Sequence, residues 1–498
     1  MKHSKFFFFL IGLFANTLFA QTYDADALRY NQEDLGTTAR AVGAGGAFST
    51  VGADLSNITN NPAGIGLYRS TEISLSFSPR FGKSTTEYLG QSSSSSFSKF
   101  NMPNAGIAIA VDQAKKKKNK FSSNSHRFIN VAIGYNRVAN FNQSSSFSGK
   151  NYDNSFVYAI ANDINSNTDP INYNYFSPQV VLAYQTYLVD PDTATGAYFS
   201  YVNAPVKQTG TITTKGGMDE VNIAVAGNVK DNFYWGVTLG VPWLSYTRQY
   251  TYSEEPLVVD TFNYFRKYTL NNSYTINGYG INAKLGFIYK PVSWLRLGAS
   301  VKTPSLLTLD DVQHASMESS IFNTTFSANT DTVNLVSRYS FTTPWRGLFG
   351  ACFILPKVGF LSVDYELSDY RTKINFKDYP ATTTSVNELI KQKYTLSHQV
   401  KAGAEFAIKS FRLRGGFAWQ STPFAANIIE KKYNSTTFSY TGGLGYRGKW
   451  FFADLAYVYQ TTSSYLAPYY FASNEPGAKT KYATHIIQAT VGVKFGKK

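Results

Sequence analysis

The chain has 498 residues, of which 43% are hydrophobic and only 16% charged, against about 25% charged in an ordinary soluble domain. A mean hydropathy of −0.23 excludes a bundle of membrane helices, and the abundance of Phe (38), Tyr (36) and Gly (37) excludes a long helical repeat or coiled coil. The single cysteine, Cys352, excludes a disulfide framework or cysteine-based metal cluster, and a net charge of +15 in so Tyr- and Ser-rich a chain is not by itself a nucleic-acid signal.

Residues 1–20 read as a secretory signal. Lys2 and Lys5 form the charged start, Phe6 to Phe14 an apolar run too short to span a bilayer, and Ala20 a small-residue stop. Residues 21–70 follow with a dense set of small residues, among them Gly43, Ala44, Gly45, Gly46 and Ala47, and then Asp54 and Asn61-Pro62-Ala63-Gly64. Such residues let backbones approach closely, and about 50 residues are too few for a core of their own. The segment is expected inside whatever follows it, as a luminal plug.

From residue 71 to 498 the pattern is alternation. Ile281, Ala283, Leu285, Phe287 and Tyr289 alternate with Asn282, Lys284 and Gly286. Leu295, Leu297, Ala299 and Val301 do so with Arg296, Gly298, Ser300 and Lys302. Period two with one apolar and one polar face is a strand between two different media. About fourteen such strands are expected, several longer than the usual ~5–6 residues of a soluble strand. Aromatic residues crowd their ends, as interfacial girdles do. Connections alternate between tiny ones, such as Pro291-Val292-Ser293 and Lys409-Ser410, and long ones: 82–102, 143–208, 304–334, 371–393, 422–433 and 464–481. An even strand count with tight turns on one side describes a bacterial outer-membrane barrel, which leaves no unpaired edge in lipid. Ser92 to Ser96 reads as a loop tip and Lys115 to Lys118 as a solvated periplasmic turn, with no nucleic-acid partner.

The plug motifs, with Gly280 to Gly286, Leu295 to Gly298, Thr303-Pro304, Thr343-Pro344-Trp345-Arg346 and Asp364-Tyr365-Glu366, resemble the FadL/OmpP1/TodX family of outer-membrane transporters for long-chain fatty acids and other hydrophobic compounds. The resemblance implies an all-β, 14-stranded transmembrane antiparallel barrel with an N-terminal hatch, no cofactor, and a hydrophobic small molecule as substrate. It also implies lateral escape through a kink in the third strand, here Asn130 to Asn142, with Gly134, Asn136 and Asn140 as its interruptions. Gly134 has a second reading, as the place where a hatch side chain fits.

Hatch anchoring or gating falls to Asp54, Asn61, Pro62, Ala63 and Gly64, although Asn and Pro also serve a plain turn. In the loop 143–208, Phe156, Tyr158, Val181, Leu182, Tyr184 and Leu188 either pack on the barrel rim or form a binding groove, with near-helical spacing over Val180 to Leu188. Luminal charges of both signs are expected to pair, leaving Arg296, Lys302, Arg412 and Arg414 as candidates for a carboxylate headgroup. Lipids and lipopolysaccharide are the expected surroundings of a monomer. No catalytic or metal-binding constellation is expected: Ser397 and His398 are adjacent and point to opposite faces, and no HExxH, GxSxG or phosphate loop occurs. The alternatives are a general porin for polar solutes and an adhesive surface barrel using its long loops.

Overall fold

The computed structural model describes residues 17–112, 128–166, 178–258, 261–330, 335–377, 380–426, 435–469 and 477–495. Residues 1–16 of the expected signal and the basic stretch at Lys115 lie outside them. The chain closes into an antiparallel barrel of 14 strands, as the alternation predicts. The first strand, Thr71–Tyr88, pairs on one side with the second, Gln91–Asp112, and on the other with the last, Ala478–Phe495. That closure satisfies the backbone groups that an edge would leave bare in hydrocarbon.

The faces are inverted relative to a soluble protein. Ile223, Leu239, Ile281, Leu297 and Leu444 point outward and are exposed, while Asn222, Thr238, Asn282, Lys284 and Ser300 point inward and are buried. A continuous apolar belt of this kind is stable only against lipid. Tyr289, Trp294 and Trp450 are exposed near the tight-turn end, with Trp294 stacked on Phe353 at 6.2 Å, as an interfacial girdle requires. Phe265 and Phe452, which the sequence groups with that girdle, are buried instead.

The strands outrun the bilayer. Phe233–Pro256 and Lys267–Val292 have 24 and 26 residues, where a crossing needs about 9–11. Stretches expected as loops are therefore ladder, Gln143–Asn151 among them. Ser92 to Ser96 pairs with Glu87 to Lys83, and Leu306–Ile321 runs beside the sixth strand. Above the membrane the outer face meets water, so apolar alternation fades while the hydrogen bonds continue. The seventh strand breaks at 303–305 and the eighth at 343–345, at their Thr-Pro steps, where proline cannot donate to the ladder.

Inside lies the N-terminal segment, as the helices Thr17–Tyr30 and Ala39–Gly43 and the 3-10 turns Leu55–Ile58 and Pro62–Leu67. Each of the last three is capped by a side chain: Thr38 accepts from the Ala41 N–H, Asp54 from that of Ser56, and Asn61 from that of Ala63. On the long-loop side, Phe156–Ser166 and Pro178–Gln185 are helical, the second overlapping the stretch Val180 to Leu188 whose spacing predicts it and ending before Leu188. A further helix, Pro380–Lys393, occupies the connection read as loop 371–393.

A candidate ligand path through the barrel

At the outer mouth the two loop helices close over a buried cluster. Leu182 and Leu188 are fully buried in it, beside Val157, Ile160, Tyr252 and Tyr268. Phe156 is partly buried against Tyr252 (5.8 Å) and Tyr469 (5.5 Å), and its N–H bonds Glu254 Oε1 at 2.9 Å. Val181 and Tyr184 are half-buried and Tyr158 is exposed. The six loop residues thus divide into two that support the cap from beneath and four that reach its surface.

Below the cap the bore turns apolar. Tyr23, Ala27 and Tyr30 of the first helix sit in one cluster with Phe141, Leu244, Tyr246, Tyr274, Ile276, Leu309, Tyr339, Phe341 and Phe376. Tyr30 meets Phe341 at 5.6 Å and Phe141 at 5.9 Å, and the Arg29 guanidinium lies 4.1 Å from the centre of the Tyr246 ring. The helix Pro380–Lys393 adds Val386 and Ile390, and its Lys393 pairs with Asp24 at 2.7 Å. These residues escaped the sequence reading. A signal exists, however: along Val241 to Tyr246 the outward Val241 and Trp243 and the inward Leu244 and Tyr246 are all apolar, so both faces are greasy at that level.

The lower half of the bore is polar and joined to the N-terminal segment. Lys302 bonds Glu33 at 2.6 Å, Arg346 bonds Glu366 at 2.7 Å, and Lys401 reaches Glu366 at 3.1 Å. Burial pushes the Glu33 carboxyl up, but Arg346 and Lys302 outweigh it and hold it down at about 2. Arg414 is completely buried between Glu405 and Asp454, both at 2.7 Å. Arg296 donates to the Val51 carbonyl, whereas Arg412 bonds the carbonyls of Lys409 and Phe411.

Asn61 donates to the Phe287 carbonyl at 3.3 Å while capping Ala63, and the Asn60 carbonyl accepts from Ser300 at 2.7 Å. A Cβ at Gly286 would collide with Asn61, and one at Gly236 with Pro62, so strand glycines let this turn touch the wall. The Gly64 carbonyl accepts from the Ala53 N–H at 3.0 Å. Asp54 accepts from Thr38 (2.7 Å) and from the Ser56 N–H (2.9 Å), tying the segment to itself.

The third strand is broken. Phe128–Asn140 stops, Phe141 and Asn142 leave the ladder, and Gln143–Asn151 resumes it against the fourth strand. Its ladder with the second strand runs from Asp112–Phe128 to Asn104–Asn136. Asn140 Oδ1 accepts from the N–H (3.1 Å) and Nδ2 (2.9 Å) of Asn142 and stabilises the break, while Phe141 turns inward to the aromatic cluster. Asn136 accepts from Asn104 at 2.8 Å at the ladder's end. Gly134 lies lower, within regular pairing, where a Cβ would stand 3.6 Å from Ile58 of the N-terminal segment. Arg137 crosses the seam, bonding Asp219 (2.9 Å) and Asn101 (2.7 Å). Beside the break is a recess of about 90 Å³ lined by Glu33, Asp34, Arg80, Asn140 and Asn142.

No protein-family model and no curated protein matches the sequence. Solved structures do match in fold. A Pseudomonas aeruginosa FadL homologue aligns over 93% of this chain and 99% of its own, with a TM-score of 0.56 and 10% identity. The Pseudomonas putida toluene transporter TodX aligns over 93% and 100%, with a TM-score of 0.55 and 10% identity. The Ralstonia pickettii toluene transporter TbuX aligns over 93% and 99%, with a TM-score of 0.50 and 13% identity. With its apolar belt outside and its N-terminal segment within, the chain has the fold of the FadL homologue and TodX barrels.

Proposed function

We propose that this barrel carries long-chain fatty acids or other hydrophobic small molecules across the outer membrane by diffusion, without chemistry. The observation that carries the reading is a large aromatic cluster inside the bore, filled by the chain's own helix Thr17–Tyr30. A polar solute gains nothing from such a cluster, whereas an acyl or aromatic solute gains about 25 cal/mol for each Å² removed from water. A small-molecule pocket usually holds about 300–1,000 Å³, more than the 90 Å³ beside the strand break; in this reading the helix yields its place in the aromatic cluster to the solute.

In this reading Phe156, Tyr158, Val181 and Tyr184 collect the solute at the cap, with Leu182 and Leu188 holding them from below. Asp54 and Asn61 to Gly64 anchor the lower hatch and set which part of it moves. Asn140, Phe141 and Asn142 mark a sideways exit into the bilayer, bounded below by Asn136 and Gly134. The toluene carried by TodX and TbuX, as their names state, sets aromatic hydrocarbons beside fatty acids as substrates to test.

The test is uptake of labelled long-chain fatty acid and labelled toluene into cells lacking and then regaining this chain. Restored uptake of either, with no swelling of protein-loaded liposomes in sugars, is the expected result. Sugar permeability without hydrophobic uptake would overturn it in favour of a porin. Adhesion lost on removing residues 150–205, with uptake unchanged, would mark a separate role for the loops.

A further inference from the structure

At the tight-turn end the mouth contains a recess of about 410 Å³ lined by Arg40, Arg69, Arg412, Arg447 and Lys494 together with Glu72 and Glu405. Its remaining wall comes from the N-terminal segment through Ala53, Leu67 and Tyr68. Five elements far apart in sequence bring these cations to one place: the segment itself, the approach to the first strand, and the ends of the eleventh, twelfth and last strands.

Cations outnumber carboxylates here, and the pairing is uneven. Arg69 is engaged by Asp231 and by the carbonyls of Gly66 and Tyr68. Arg447 bonds Asp454 at 2.8 Å, but that carboxylate also serves Arg414. Arg40 reaches Glu405 at only 3.4 Å, and Glu405 is shared with Arg414 at 2.7 Å. Arg412 stands 3.8 Å from Glu405, with only its Nη1 bonded, to the Lys409 and Phe411 carbonyls, and Lys494 stands 3.8 Å from Glu72 and 5.2 Å from the centre of the Phe452 ring, so neither carboxylate is within hydrogen-bond range. Planar guanidinium forks and an ammonium around a concave, low-dielectric wall bind oxyanions and hold a positive potential.

We propose that this recess is an oxyanion site, taking a carboxylate or phosphate group borne on a small solute or on a lipid headgroup. Arg412 and Lys494 supply the donors, and Arg40 and Arg447 supply the field. The site does not depend on the uptake reading, since direct binding reports it.

The test uses the full chain in nanodiscs of uncharged lipid, comparing it with R412Q/K494Q and with the charge-keeping R412K/K494R. Inorganic phosphate is titrated by calorimetry at low salt, and dodecanoate is compared with dodecanol. A second preparation in phosphatidylglycerol is analysed for co-purified lipid by native mass spectrometry. The expected result is phosphate binding that weakens about tenfold or more in R412Q/K494Q, is kept in R412K/K494R, and fades with salt. Dodecanoate binding above dodecanol assigns the site to a solute, and phosphatidylglycerol retained by the parent but lost by R412Q/K494Q assigns it to a lipid. Unchanged heat-dependent gel mobility establishes that the variants are folded. No phosphate binding by the parent chain, or equal binding by the parent and R412Q/K494Q, overturns the proposal.

Discussion

The N-terminal segment has two parts held by different forces. Residues 39–67 are fixed by backbone contact and charge, with small apolar clusters around Phe48 and Ile58 between them. A Cβ on Gly403 would overlap the Ala44 carbonyl, one on Gly416 would overlap Gly45, and Ser49 donates twice to Asp364 at 2.7 and 2.9 Å. The helix Thr17–Tyr30 is held by rings, with Tyr23 against Phe376 at 4.8 Å and Tyr30 against Phe341 at 5.6 Å, and at its start by the pair of Asp24 with Lys393 at 2.7 Å. A hydrophobic solute can replace ring contacts like for like, but it cannot replace an ion pair or a backbone wedge. In the proposed reading the upper helix is the part that a solute displaces, and the lower part is its floor.

The largest effect tests the floor. In R414M, Glu405 and Asp454 lose the buried partner they share and keep Arg40 at 3.4 Å and Arg447 at 2.8 Å; breaking a buried pair costs up to about 3–5 kcal/mol. Guanidinium unfolding in micelles should show that loss, while conductance stays low because the upper helix is untouched. G416V is next. Its side chain enters the space of Gly45, and overpacking costs about 1–3 kcal/mol where backbone cannot yield. The expected sign is protease cleavage within residues 39–67 in a barrel whose mobility on gels is still that of the folded form.

Y30L works on the other part. It removes ring contacts to Phe141 and Phe341, worth about 0.5–1.5 kcal/mol each, while keeping much of the apolar volume. Brief channel openings in planar bilayers should rise about tenfold, with global unfolding unchanged. If Y30L unfolds the barrel as R414M does, the two parts are one cooperative unit and the contrast between them fails.

What the sequence disclosed divides along the same physical lines. Lipid imposes an outward apolar residue at every second position, so Ile281, Leu285 and Leu297 announced their strands. Close approach demands missing side chains, so Gly43 to Ala47 announced a segment pressed against a wall. Beyond the bilayer no medium enforces alternation, and the ladder of Ser92 to Ser96 was read as a loop. The cluster was hidden because its rings meet across the bore: Tyr30 packs on Tyr246 and Phe341, which lie hundreds of residues away in the chain. For the same reason Arg414 stood out as a cation, while its two carboxylates, Glu405 on the adjacent strand and Asp454 two strands away, could not be assigned to it.

The smallest effect is a difference in pH response between the two parts. Burial pushes the Asp26 carboxyl of the upper helix up to about 6 from 3.8, against the pull of Arg29 and Tyr274. A carboxyl whose pKa rises on docking takes up a proton when the helix is seated. Acidification through the window from 6 towards 3.8 therefore favours the seated helix, and neutral pH loosens it. Glu33, at the join with the lower part, has the opposite sign: held at about 2, it favours docking above its ordinary 4.5, and that contribution is lost only as pH falls towards 2. Opening frequency should thus fall as pH is lowered from 7 to 5, and D26N should lie near the low, acid level at every pH in that range. A frequency that instead rises on mild acidification would place the controlling carboxyl among the ion pairs of the floor and reverse the assignment of the movable part.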